Sequence, residues 1–124
     1  MKTKKTSNKL TEADILTQVK QKFHIVGRET EITAISSAVL AERNVLIEGP
    51  VGVGKTVLAH AVASIMGREL IRVDGDSRFT EQKLTGWFDP SLVIKKGYTE
   101  KTFVEGPLVH AMKAGSILFI NELN

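Results

Sequence analysis

The residues whose types and spacing suit chemistry are the run Gly49, Pro50, Val51, Gly52, Val53, Gly54, Lys55 and Thr56, and the pair Asn121 and Glu122. The first stretch sets three glycines ahead of a lysine and a threonine, just after the apolar run "NVLI". Glycine loses more conformational freedom on folding than any other residue, so a compact fold keeps it where something must approach the backbone closely. The spacing G-x-x-x-x-G-K-T fits a phosphate-binding P-loop when a strand precedes it and a helix follows. Gly52 and Gly54 let successive N–H groups turn inward around an anion. A helix beginning near Lys55 adds its positive dipole end. Lys55 supplies a mobile cation for β- and γ-phosphates, and the Thr56 hydroxyl suits Mg²⁺. A plain glycine-rich turn would explain the glycines but not the Lys-Thr pair behind them. The pattern points to a nucleoside triphosphate.

Asn121 and Glu122 follow the apolar run "SILFI". In a parallel sheet, ligands gather at the C-terminal ends of the strands, where these two residues would emerge. A carboxylate there can orient a water and take its proton for attack on a γ-phosphate, which makes Glu122 the candidate base.

The elements that must position these residues can be read from periodicity. Thr11 caps a helix whose apolar positions Ile15, Leu16, Val19 and Phe23 share one face. "HIVGRE" breaks it at Gly27, and a second amphipathic helix turns Ile32, Ile35 and Val39 inward. "NVLIE" (44–48) reads as a buried strand. "TVLAHAVASIM" follows as a helix, with Val57, Leu58, Ala61, Val62, Ile65 and Met66 on one side. "ELIRV" (69–73) is the next strand, and "TEQKLTG" a short helix before Pro90. Residues 92–104, "LVIKKGYTEKTFV", read as a hairpin about a Gly-containing turn. "GPLVHAMKAG" is a helix with Pro107 in its first turn, and "SILFI" (116–120) is a third buried strand. Strands alternating with helices imply a parallel sheet covered on both faces.

Composition narrows the setting. A 124-residue chain with 42% hydrophobic and 25% charged residues is enough for one modest domain. No apolar run approaches the roughly 20 residues that span a bilayer, so no membrane helix is expected. The chain has no cysteine, which suits a reducing cytoplasm. Residues 1–28 carry a charge of +5 and residues 29–124 a charge of −2. The basic character thus belongs to the leading segment, whose first residues, 1–10, are read as a basic disordered tail. No aromatics interleave its lysines to stack on bases, so nucleic acid is not expected as a partner. His24, His60 and His110 are scattered without metal-ligand spacing. Trp87, Phe88, Tyr98 and Phe103 flank the expected hairpin, where local packing competes with a partner contact.

The order "HIVGRE", "GPVGVGKT", a helix, "GPL" and "ILFINEL" resembles an AAA+ ATPase, specifically the MoxR-like group, over residues 12–124. The P-loop is shared by many NTPases; the flanking motifs in combination are far more specific. The resemblance implies a three-layer α/β P-loop NTPase fold: a parallel sheet with flanking helices, here truncated after the Walker B strand. Residues 11–124 would then be the N-terminal portion of the ATPase domain, with a hairpin insertion over about 80–106. It also implies that Ile25, Val26 and Gly27 lie beside the adenine, that Gly49–Thr56 hold ATP and Mg²⁺, and that Glu122 is the Walker B base. Such proteins form hexameric rings and use ATP to remodel or mature partner proteins.

The sequence departs from that pattern at Asn121, which stands where the Walker B acid is usual. An amide oxygen still accepts a hydrogen bond from a metal-bound water, without the charge. On that basis Asn121→Asp is expected to tighten Mg²⁺ binding or leave it alone. Two other readings remain: a nucleotide-binding switch or assembly module with little hydrolysis, and a small-substrate kinase. The kinase reading is disfavoured because two helical segments precede the P-loop.

Overall fold

The computed structural model describes residues 9–76 and 78–122. Most of the tail expected over residues 1–10 lies outside them; Leu10, at its end, packs against a hydrophobic core. The chain divides into two compact units, Met1–Gly67 and Arg68–Asn124.

The first unit is built on three helices, α1 (Glu12–Phe23), α2 (Glu29–Leu40) and α3 (Lys55–Ile65). Thr11 begins α1 through a reciprocal capping box with Asp14, which satisfies N–H groups the first turn leaves free. The chain leaves α1 at His24, in the left-handed region at φ 51°. Ile15 and Val19 of α1, Ile32 and Ile35 of α2, and Leu58, Ala61, Val62 and Ile65 of α3 form one core. Removing each large member from water contributes about 1.5–3 kcal/mol. Ser36 is fully buried there, and its hydroxyl donates to the Ile32 carbonyl at 2.6 Å, so it leaves no unmet polar group. Val57, expected on the inner face of α3, is instead 52% exposed.

The run 44–48 is not a strand among the described residues. Leu46 is 73% exposed and Val45 38%; only Ile47 leans on the core. Its residue types suit a strand, but a strand exists only where a neighbour completes the hydrogen-bond ladder. Neither sheet of the structure includes it. The expected three-stranded arrangement is therefore a parallel pair.

The second unit contains that pair, β1 (Leu70–Asp74) and β4 (Ile117–Asn121), in a register that sets Asp74 opposite Asn121. Between them run α4 (Glu81–Thr85), β2 (Gly86–Phe88), α5 (Pro90–Lys96), β3 (Phe103–Glu105) and α6 (Pro107–Ala114). Helix α6 packs on both β1 and β4, as a crossover between parallel strands should. The strands are half-buried rather than fully enclosed.

The hairpin expected at 92–104 is also corrected. Its first half is helix α5, begun by Asp89, whose carboxylate accepts from the Ser91 N–H at 2.8 Å, with Pro90 at the first position. The antiparallel pair is instead β2 with β3, matching Gly86 with Glu105 and Phe88 with Phe103. Residues 89–102 are an excursion closed by Thr102. That buried side chain donates toward the carbonyls of Gly97 and Thr99, each at 2.9 Å. Phe88 packs edge-on against Tyr98 and Phe103.

Candidate functional site

In the first unit, the glycine-rich run leads directly into α3. Gly52 and Gly54 both take left-handed conformations, at φ 85° and 84°. Residues with a Cβ pay for such angles, which explains glycine at both places. Gly54 is the N-cap residue of α3 and offers no side chain to its first turn. The first N–H groups of that helix are thus left for another acceptor. No acidic side chain stands in the first turn to compete for them. Lys55 Nζ donates to the Gly49 carbonyl at 2.5 Å, which folds the ammonium back across the loop. Thr56 follows in the first turn of α3.

Of the three residues expected near an adenine, Ile25 packs against the core while Val26 is 89% exposed. Gly27 turns the chain at φ 74°. The next residue, Arg28, ties this segment to the glycine loop. Its Nη2 donates to the Val53 carbonyl at 3.2 Å and its Nη1 to Glu31 at 2.9 Å. The Arg28 guanidinium holds the Glu31 carboxyl below its usual range. Arg28 stands inside "HIVGRE", but nothing in the sequence marks it as the residue that reaches the loop.

In the second unit, Asn121 ends β4 and Glu122 follows it, exposed and left-handed at φ 56°. Asn121 Nδ2 donates to Asp74 Oδ1 at 2.9 Å. Arg72 reaches the same oxygen through Nε at 3.1 Å and Nη2 at 2.9 Å. The Asn121 amide and the Arg72 guanidinium hold the Asp74 carboxyl below its usual range. Gly75 then donates its N–H to the Asn121 carbonyl at 2.8 Å. A Cβ on Gly75 would sit 2.9 Å from the Glu122 carbonyl oxygen, so glycine is required for this approach. Asp74 and Gly75 were also missed; the available signal was the "DG" that closes "LIRVDG".

Among the described residues, no three His, Cys, Asp or Glu side chains cluster to hold a metal, and no helix is long and apolar enough to cross a membrane.

Residues 44–124 match the model of the AAA domain family, dynein-related subfamily, and the chain belongs to that family. This is a family of ATP-binding domains, and the small parallel sheet with flanking helices agrees with a P-loop NTPase. The chain is 33% identical over 96 residues to an uncharacterized protein of Staphylococcus saprophyticus, covering 77% of this chain and 36% of the relative. It is 35% identical over 82 residues to uncharacterized proteins of Staphylococcus epidermidis and Staphylococcus aureus, covering 66% of this chain and 31% of each. The chain thus spans about a third of the length of these curated relatives. No solved structure matches it.

Proposed function

We propose that Gly49–Thr56 bind the phosphates of ATP with Mg²⁺, and that the chain serves a MoxR-like ATPase that remodels or matures partner proteins. The observation that carries this is the loop itself. Left-handed Gly52 and Gly54 open an uncapped helix N-terminus, and Lys55 rests on a neutral carbonyl. Exchanging that carbonyl for a phosphate oxygen gives Lys55 a charge-assisted bond, roughly twice as strong as a neutral one. By the motif Thr56 would hold the Mg²⁺, which when bound offsets the negative charge of the phosphates; that Asn121 meets a water of its shell rests on the resemblance alone.

Hydrolysis joins the water oxygen to the γ-phosphorus, breaks the bond to the bridging oxygen and releases ADP. Glu122 orients the water and takes its proton. Assembly into a hexameric ring and action on a client protein rest on the resemblance of "IVGRE", "GPL" and "ILFINEL" to the MoxR-like group. A cytoplasmic setting rests on the cysteine-free sequence. A nucleotide-binding switch with little hydrolysis is the second reading, favoured by the neutral side chain at Asn121. Calorimetry with ATP and Mg²⁺ and turnover measurements, both on a polypeptide of the relatives' length, test the proposal. Binding with turnover supports an ATPase, binding without turnover the switch, and no binding overturns both.

A further inference from the structure

Arg28 stands at the start of α2 and reaches the glycine loop 25 residues further along the chain. Its guanidinium is held on two sides. Nη1 donates to Glu31, in the first turn of α2, at 2.9 Å, and Nη2 donates to the Val53 carbonyl at 3.2 Å. The ion pair with Glu31 is part-exposed, and such pairs contribute little to stability by themselves. What this one does is aim the other arm of a rigid fork at the loop.

The bonded carbonyl belongs to the peptide that joins Val53 to Gly54. That peptide is trans, so its N–H points opposite to its carbonyl. Fixing the Val53 oxygen on Arg28 therefore fixes the Gly54 N–H on the far side of the plane. Without the bond the plane turns over at low cost, because Gly54, at φ 84°, accepts either sign of φ. A turned plane sets a carbonyl oxygen where the N–H stood, and that oxygen repels an anion at the start of α3.

We propose that Arg28 is a positioning residue for the phosphate loop: by holding the Val53 carbonyl it keeps the Gly54 N–H turned toward the triphosphate. It touches the backbone of the loop, not the nucleotide. Its role rests on the ATP reading above and adds the residue that keeps the loop in its anion-accepting form. Geometry and charge make opposite demands here. Lysine at 28 keeps the charge but offers a point ammonium in place of the planar fork. Glu31→Ala makes the neighbourhood more positive while removing the anchor that aims the fork. A charge acting at a distance would then bind anions more tightly, and a positioning residue less tightly.

The test uses wild type, Arg28→Ala, Arg28→Lys and Glu31→Ala in a polypeptide of the relatives' length. Each is titrated by calorimetry with ATP and with inorganic tripolyphosphate, both with Mg²⁺, and each is melted without ligand. A hydrogen bond to a charged group corresponds to about 10-fold or more in an equilibrium. Arg28→Ala and Arg28→Lys should each lose about 10-fold in affinity for both ligands, in forms that melt above the assay temperature. Glu31→Ala should lose affinity in the same direction. If Arg28→Ala does not fold, Arg28→Lys and Glu31→Ala decide between geometry and charge, on ATP alone if need be. Wild-type affinity in Arg28→Lys, or tighter binding by Glu31→Ala, reduces Arg28 to a charge beside the loop and overturns the proposal. Loss for ATP with tripolyphosphate binding unchanged assigns Arg28 to the nucleoside and also overturns it. A wild type and an Arg28→Ala that bind ATP equally leave the nucleotide reading standing and remove Arg28 from it. A wild type that binds neither ligand overturns the nucleotide reading itself, and the role of Arg28 with it.

Discussion

Lys55 and Glu122 carry the two tests that separate binding from turnover. Lys55 Nζ holds one hydrogen bond, to the Gly49 carbonyl, so Lys55→Ala removes little from the folded chain but removes the mobile cation of the loop. ATP affinity measured by calorimetry should fall below detection or turnover should collapse; unchanged affinity and rate would withdraw the phosphate assignment. In a polypeptide of the relatives' length, Glu122→Gln keeps the shape and loses the base, so ATP should stay bound while hydrolysis slows by about 10²-fold or more. A wild-type rate in that variant would remove Glu122 from the mechanism. The glycine loop was legible in sequence because its parts are contiguous: three glycines, a lysine and a threonine declare one loop within eight residues. Asp74 was not, because its bond to Asn121 joins residues 47 apart and exists only through the register of β1 with β4.

At the scale of elements, capping decides more than propensity. Thr11 both accepts from the Asp14 N–H, at 3.3 Å, and donates to its carboxylate through backbone N–H and hydroxyl, at 2.9 and 2.7 Å. Thr11→Ala should lower stability by about 1 kcal/mol, as loss of an N-cap does, read as a shift in the denaturation midpoint. Thr11 holds the Asp14 carboxyl below its usual range. The stabilisation is present above the carboxyl's unfolded value and is lost as pH falls through the lowered folded one. Thr11→Ala should therefore flatten the acid limb of stability; an unchanged limb would show the box idle. The same physics accounts for the misread hairpin. Val93 and Ile94 favour strands, but Asp89 and Pro90 ahead of them form a helix start that outweighs the preference of two residues. Where β1 and β4 end, Gly75→Ala forces a methyl against the Glu122 carbonyl. Overpacking of this kind costs about 1–3 kcal/mol, so the melting temperature should drop by several degrees, and an unshifted melt would show the strand ends free to part.

For the whole molecule, the informative segment is the one that did not form its expected element. Residues 44–48 connect α2 to the glycine loop, so their order sets how firmly Gly49 is held. Their β-type side chains announced a strand, and sequence could not show that its ladder partners are missing from the described residues. Val45 and Leu46 are exposed, and strand-type backbone without a ladder must turn to water or to another strand. Relatives about twice as long carry further chain, and a polypeptide of that length can supply a ladder partner. Hydrogen exchange of the 124-residue chain should therefore show amides 45–48 exchanging as fast as loops. Leu70–Asp74 and Ile117–Asn121, which are paired, should exchange more slowly. In a polypeptide of the relatives' length the amides of 45–48 should become protected, and ATP turnover, negligible in the 124 residues alone, should appear with that protection. A loop whose leading segment is unpaired is held less firmly against the reacting phosphate, and a misplacement of about 1 Å can cost on the order of 10²-fold in rate. Slow exchange at 45–48 in the 124-residue chain, or multiple turnovers by it, would show that this segment is already ordered by contacts of another kind.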